Sequence, residues 1–202
     1  MDENLNSILD ISYNELNDIL DKWCKTNETN FNAGQMRADR GEDIENYVKN
    51  IIKLFNDLYK INVKAIKGNF DKKQLVLNYN GKIIKKNHQV DIHIYKNDEF
   101  IAVIECKSYL DSCYYVRACD DFKLFKKFDY NIKNYIFSLE DCIDENTKIF
   151  TDIITDNICD DIFYVLDGKR QASKPIYINK FRKNINKEKL NYFIKSLKKL
   201  FI

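Results

Sequence analysis

The apolar residues of this 202-residue chain change their spacing along its length, and that change restricts the fold more than any other feature. Ile8, Ile11, Leu16, Ile19, Leu20 and Trp23 recur at near-helical intervals and predict one or two amphipathic helices over residues 5–23. A polar stretch follows from Thr26 to Arg40. Gly41 then opens a second helix whose stripe is Ile44, Tyr47, Val48, Ile51, Ile52 and Phe55, ending near Tyr59. From Asn62 to Lys107 the period drops to two. Val63, Ala65 and Ile66 predict one strand and Leu75, Leu77 and Tyr79 a second, with Asn80-Gly81 as a tight turn into a third that starts at Ile83. Val90, Ile92 and Ile94 are expected on one strand face and Asp91, His93 and Tyr95 on the other. Residues 100–107 form a buried strand with a charged end.

Helices are expected over 111–128, 145–156 and 187–201, and strands over 132–138, 161–166 and 176–178. This order predicts an α/β fold in which a central mixed β-sheet is flanked by α-helices. At 45% hydrophobic and 13% aromatic residues, the composition suffices for one folded domain. No run approaches the roughly 20 apolar residues of a membrane span, and the first residues are acidic where a secretory signal is basic. The expectation is a soluble, cytoplasmic protein with no membrane partner. The six cysteines contain no Cys-x-x-Cys pair, which argues against zinc or an iron–sulfur cluster and for reduced, packed thiols.

The net charge of +2 gives no hint of a polyanionic partner, but its distribution is uneven. Residues 1–50 carry −6, 51–139 carry +6, 140–167 carry −8 and 168–202 carry +10. Such blocks either neutralise one another in the fold or present opposed charged faces.

The chemistry concentrates at Glu105-Cys106-Lys107. Strand alternation puts Glu105 and Lys107 on one face. Asp91, one hairpin earlier, comes close to Glu105 without lying directly opposite, because the two stand at unequal distances from the Asn97-Asp98 turn. Two converging carboxylates suit a hard dication such as Mg²⁺, and the Lys107 ammonium can orient a water or help deprotonate it for attack on phosphorus. The plain alternative is a Glu105–Lys107 ion pair at a strand end with Asp91 in solvent.

Val90-Asp91-Ile92 followed by Ile104-Glu105-Cys106-Lys107 resembles the PD-(D/E)XK nucleases, with Val90 in place of the name-giving Pro. The expected order of helix, three strands, helix and strand over residues 41–138 is similar to that family's catalytic core. The resemblance implies a restriction-endonuclease-like fold in a single nuclease domain, with 1–40 as an N-terminal helical segment and 139–202 as an extension for DNA recognition or dimerisation. It further implies a Mg²⁺-dependent endonuclease cutting double-stranded DNA at a short specific sequence, leaving 5′-phosphate and 3′-hydroxyl ends, as type II restriction enzymes do. Asp91, Glu105 and the Cys106 carbonyl would hold the metal and Lys107 would serve the attacking water. Arg40-Gly41-Glu42-Asp43-Ile44-Glu45 is similar to a segment of the family's first core helix, which gives Glu45 an assisting role at the metal. A homodimer is expected, since a two-fold protein matches a palindromic site. The alternatives are a repair or junction-resolving nuclease and an inactive DNA-binding module of the same fold.

Outside this cluster, Arg117 and the loop residues Lys169, Arg170 and Gln171 are candidate DNA contacts, the loop reading equally as an exposed basic turn. Lys85, Lys86, Asn87, His88 and Gln89 either touch the DNA backbone or belong to a solvated hairpin. His93 is either a phosphate contact or a buried strand histidine. The basic C-terminal helix packs on the domain or lies on a membrane surface.

Overall fold

The computed structural model describes residues 2–29, 33–128 and 130–202. Helices α1 (Glu3–Thr29) and α2 (Ala33–Tyr59) lie side by side, tied by Trp23 Nε1 donating to Asp43 at 2.8 Å and Tyr47 Oη donating to the Ser12 carbonyl at 3.1 Å. Both helices reach into the polar stretch expected between them, of which residues 30–32 lie outside the described residues. Gly41 is therefore inside α2 and does not open it. The stretch lacks an amphipathic signal because few of its residues face the core, yet Gln, Arg, Met and Ala are good helix formers.

The remaining elements are β1 (Val63–Lys67), β2 (Lys73–Tyr79), β3 (Lys82–His88), β4 (Ile92–Lys96), β5 (Glu99–Asp111), α3 (Ser112–Lys127), β6 (Lys133–Cys142), α4 (Glu145–Thr155), β7 (Asp161–Tyr164) and α5 (Lys187–Phe201). Asp111, Asp144 and Asn186 cap α3, α4 and α5, each accepting from a backbone N–H three residues on. The central sheet has the order β1-β4-β5-β6-β7. It is antiparallel through β1, β4 and β5 and parallel through β5, β6 and β7. One core lies between the sheet and α1, α2 and α5, and a second lies under α3 on the other face. The fold is thus a mixed five-stranded sheet flanked by helices, as the residue spacing predicts.

Three expectations change. The β2–β3 hairpin turns at Asn80-Gly81 with φ of +51° and +76°, the left-handed pair a tight hairpin needs, but it forms its own two-stranded sheet outside the central one. Ile176–Ile178 is a turn after Pro175 and not a strand, and Ile176 plugs the first core beside Cys24. The alternation of Val90 with Ile92 and Ile94 is broken at Asp91, which sits in a bend. Ile92 and Ile94 enter the first core and Val90 the second.

The bend also settles His93, which is fully buried. Its Nδ1 stands 3.0 Å from an Asp71 carboxylate oxygen and its Nε2 accepts the Val90 N–H at 3.3 Å, the pattern of a neutral ring. It is a structural histidine bonded to Asp71 and not to Asp91 or Glu105. Burial, outweighing Asp71, holds its pKa below the ordinary 6.5. Because the folded state binds this proton more weakly than the unfolded chain, the stabilisation is full above about pH 6.5 and is lost as pH falls below it. Glu105, whose pKa burial and Asp91 raise to about 7, works in the opposite direction over the same range, so the His93 contribution is read from urea midpoints as the difference between the wild type and His93→Gln. From pH 7 to pH 5 the wild type should lose more stability, or gain less, than His93→Gln, and an equal change in both would show that His93 does not contribute.

No described helix is long and apolar enough to cross a membrane. None of the six cysteines is in a disulfide, with Cys24, Cys106 and Cys119 buried and Cys113 exposed.

Candidate active site

Asp91 and Glu105 meet through an irregularity invisible in the spacing of the sequence. Counting from the Lys96↔Glu99 pair, a regular ladder would set Asp91 against Ile104. A bulge between Ile94 and Tyr95 inserts one extra residue on β5, so Ile92 faces Ile104 and the register, continued one step, brings Asp91 level with Glu105. The expectation that they cannot stand opposite is corrected by that one residue.

The bend carrying Asp91 is held from three sides. Gly68 N–H donates to the Asp91 carbonyl at 2.9 Å, Val90 N–H donates to His93, and Asp91 N–H reaches Glu105 Oε2 at 3.4 Å. A Cβ on Gly68 would lie 1.9 Å from the Val90 carbonyl oxygen, so only glycine permits this approach. Gly68→Ala is expected to displace the bend, lowering stability by about 1–3 kcal/mol and disturbing Asp91. Thermal denaturation checks the first effect, and a wild-type melting temperature would contradict the tight fit.

One Asp91 oxygen accepts the Cys106 N–H at 2.8 Å and the Lys107 ammonium at 3.2 Å, while Lys107 also bonds Glu105 at 2.5 Å. In an extended strand a residue's N–H and C=O point to the same side, so the Cys106 carbonyl is directed toward the Asp91 edge. Burial, and then the charge of Asp91, push Glu105 up to about 7. Burial pulls Lys107 down, but Glu105 and Asp91 outweigh it and hold its pKa well above the ordinary lysine value. Lys107 is consequently a fixed cation in this arrangement. Glu45, from α2, feels the same cluster: burial and Asp91 raise its pKa, and Lys67 is 3.4 Å away.

Asp91, Lys107 and Glu45 line a cleft of about 390 Å³ together with Arg37, Arg40, Tyr109, Tyr114, Glu140, Arg170 and Tyr177. Glu140 on β6 is buried, with Lys183 at 2.6 Å and Arg170 at 4.0 Å. The Arg170 guanidinium lies 3.6 Å over the Tyr109 ring and that of Arg40 lies 4.1 Å over Tyr177. One end of the cleft is therefore carboxylate-rich and its rim is cationic.

Of the sequence candidates, Asp91, Glu105, Lys107, Glu45 and Cys106 converge, and Arg170 joins them on the cleft. Lys169 and Gln171 are exposed and outside the cleft lining. Arg117 is exposed on α3 and acts with Lys86 and His88 on Asp121, away from the carboxylates. Arg37, Arg40 and Glu140 were not apparent from the sequence, because the neighbours that give them meaning come from distant segments.

The oxygen donors of Asp91, Glu105 and Glu45 are of the hard type that Mg²⁺ takes. Among the described residues, no three His, Cys, Asp or Glu side chains are gathered into a ready ligand set, and Lys107 lies between Asp91 and Glu105. Asp91 and Glu105 are the residues that would hold a dication there.

No protein-family model and no curated protein matches the chain. It is similar to a solved structure described as the native BbvCI A2B2 tetramer at low resolution, at 10% identity over 96% of this chain and 90% of that one, with a TM-score of 0.42.

Proposed function

We propose that the chain is a Mg²⁺-dependent endodeoxyribonuclease that cuts double-stranded DNA at a short specific sequence. The observation that carries this reading is the meeting of Asp91, Glu105 and Glu45 with Lys107 at the carboxylate end of a cleft rimmed by Arg37, Arg40 and Arg170. A structural ion pair would need one carboxylate for one lysine. Here two carboxylates share Lys107 and a third, Glu45 beside Lys67, lies in their field, and the burial and Asp91 charge that push Glu105 up are what a bound cation offsets.

In this reading Asp91, Glu105 and the Cys106 carbonyl hold the metal, with Glu45 assisting. When bound, the ion supplies Lewis-acid neutralisation of the phosphodiester. Lys107, charged and half-buried, orients the attacking water and offsets negative charge that develops on the phosphoryl oxygens. Arg170 and Arg40, stacked on tyrosines, are positioned for the flanking phosphates. Water attacks phosphorus, the bond to the 3′ oxygen breaks, and that oxygen leaves with a proton. The products are a 5′-phosphate and a 3′-hydroxyl.

The test is incubation with plasmid DNA in Mg²⁺ and in Ca²⁺. Discrete, reproducible fragments in Mg²⁺ with binding alone in Ca²⁺ are expected. A smear or structure-dependent nicking would replace the site-specific reading with a repair or junction-resolving one. Binding without cleavage in any dication would leave an inactive DNA-binding module.

A further inference from the structure

Two apolar surfaces of this chain face solvent, and they carry opposite charge. On the β2–β3 ribbon, residues 76–87 are all exposed, with Tyr79 at 62% and Ile83 at 64%, joined by Val76, Leu77 and Ile84. From Lys72 to Val90 there are five lysines and no carboxylate, and Lys82 and Lys85 make no ion pair among the described residues. On α4, Phe150 is 66% and Ile153 72% exposed, beside Ile149 and Ile154. That helix lies in the segment 140–167, which has nine acids and one base, and exposed Glu145 and Asp156 border its apolar stripe. Large exposed apolar patches mark interaction surfaces.

The two surfaces flank α3 on one side of the sheet. At the ribbon base, His88 bonds the Asp121 carbonyl at 3.0 Å and its ring packs on Phe125. At the other flank, Tyr115 bonds Asp152 of α4, and Lys126 pairs with Asp156 at 3.3 Å. The lengths also match: the 11 residues of α4 span about 16 Å, and five ribbon residues from Val76 to Asn80 span about the same.

We propose that these surfaces bind each other in a second copy of this chain, the ribbon of one copy lying on α4 of the other about a two-fold axis near α3. The two-fold makes the contact reciprocal, so it closes as a dimer and covers one ribbon face and the α4 stripe of both copies. Each contact joins four α4 apolar side chains to three on one face of the ribbon, Leu77, Tyr79 and Ile84, while Val76 and Ile83 lie on the other face. At roughly 100 Å² for each, the two contacts bury about 1,400 Å², within the range of a standard interface. A nucleic acid would satisfy the ribbon lysines but leave the acidic, apolar α4 uncovered. The inference does not depend on the nuclease reading, since it uses neither the cleft nor its residues.

Sedimentation equilibrium of the full chain is the test. The wild type should be a dimer, and Phe150→Ser with Ile153→Ser should raise its dissociation constant at least about 100-fold with an unchanged circular dichroism spectrum. A second pair of variants uses charge alone. Lys82→Glu/Lys85→Glu/Lys86→Glu and Glu145→Lys/Asp156→Lys should each be monomeric, and their equimolar mixture should restore the dimer, because both contacts are then complementary. The proposal is overturned by a monomeric wild type, by a dimer indifferent to the α4 serines, or by a mixture that stays monomeric. A ribbon variant that loses DNA binding but not self-association would give the ribbon to nucleic acid and overturn it equally.

Discussion

Asp91→Asn is expected to remove DNA cleavage, by about 10³-fold or more, while the protein stays folded and binds DNA in Ca²⁺. The exchange is isosteric. The side-chain amide oxygen it introduces still accepts the Cys106 N–H that Asp91 accepts at 2.8 Å, and the bend keeps its bond from Gly68. What disappears is one negative charge at the place where the proposed dication would bind. The same substitution leaves Lys107 with Glu105 as its partner at 2.5 Å, so stability should change little. Cleavage rate and melting temperature measured together separate the two effects. Cleavage at the normal rate by Asp91→Asn would remove Asp91 from the site and, with it, the assignment of Glu105 as its partner ligand.

Lys107→Met sharpens the point from the cationic side. Methionine keeps the apolar stem but leaves Asp91 and Glu105 facing each other uncompensated. Cleavage should fall by about 10²–10³-fold. Added Ca²⁺ should stabilise this variant more than the wild type, because in the wild type the ammonium already offsets the two carboxylates. Equal stabilisation of both proteins would mean that the cation binds elsewhere.

The parts of this molecule that could be read from its sequence are those whose cause is local. Helix α5 runs from Lys187 to Phe201, the predicted bounds, because Leu190, Phe193, Ile194, Leu197 and Phe201 form one uninterrupted buried stripe and Asn186 caps it. Asn80-Gly81 marked its turn because left-handed backbone at two successive residues needs that chemistry. The nearness of Asp91, Glu105 and Lys107 followed from a short hairpin. The β5 bulge was hidden because Phe100 to Ile104 is continuously apolar, so one extra residue changes no visible pattern. Alternation at Leu75, Leu77 and Tyr79 suggested a core strand, yet Leu77 and Tyr79 are exposed, since period two reports pleating and not what covers the face. Glu140 was silent because its two cations, Arg170 and Lys183, come from loops 30 and 43 residues further along the chain.

Phe137→Ala should be the most destabilising of the single core truncations argued from this fold, at about 3–5 kcal/mol. The ring is fully buried on β6, 5.8 Å from Tyr47 on α2 and 4.8 Å from Phe193 on α5, and its backbone partner is Cys106 on β5. Loss of the ring opens a void between two helices and the central strand, and the rigid sheet closes it poorly. Against a total stability of about 5–15 kcal/mol, this predicts a melting temperature lower by about 6–20 °C, whereas Phe137→Leu should cost less than about 1.5 kcal/mol. The site should feel the void too. Tyr47 is two residues from Glu45, so slack between α2 and β6 loosens Glu45 relative to Asp91 and Glu105, which sit on the sheet side of the same contact. Phe137→Ala should therefore cleave more slowly even at temperatures where it is folded, and raising the Mg²⁺ concentration should recover part of the loss. Full activity in the folded variant would show that Glu45 does not have to be held against the other two carboxylates, and would confine the metal site to Asp91, Glu105 and the Cys106 carbonyl.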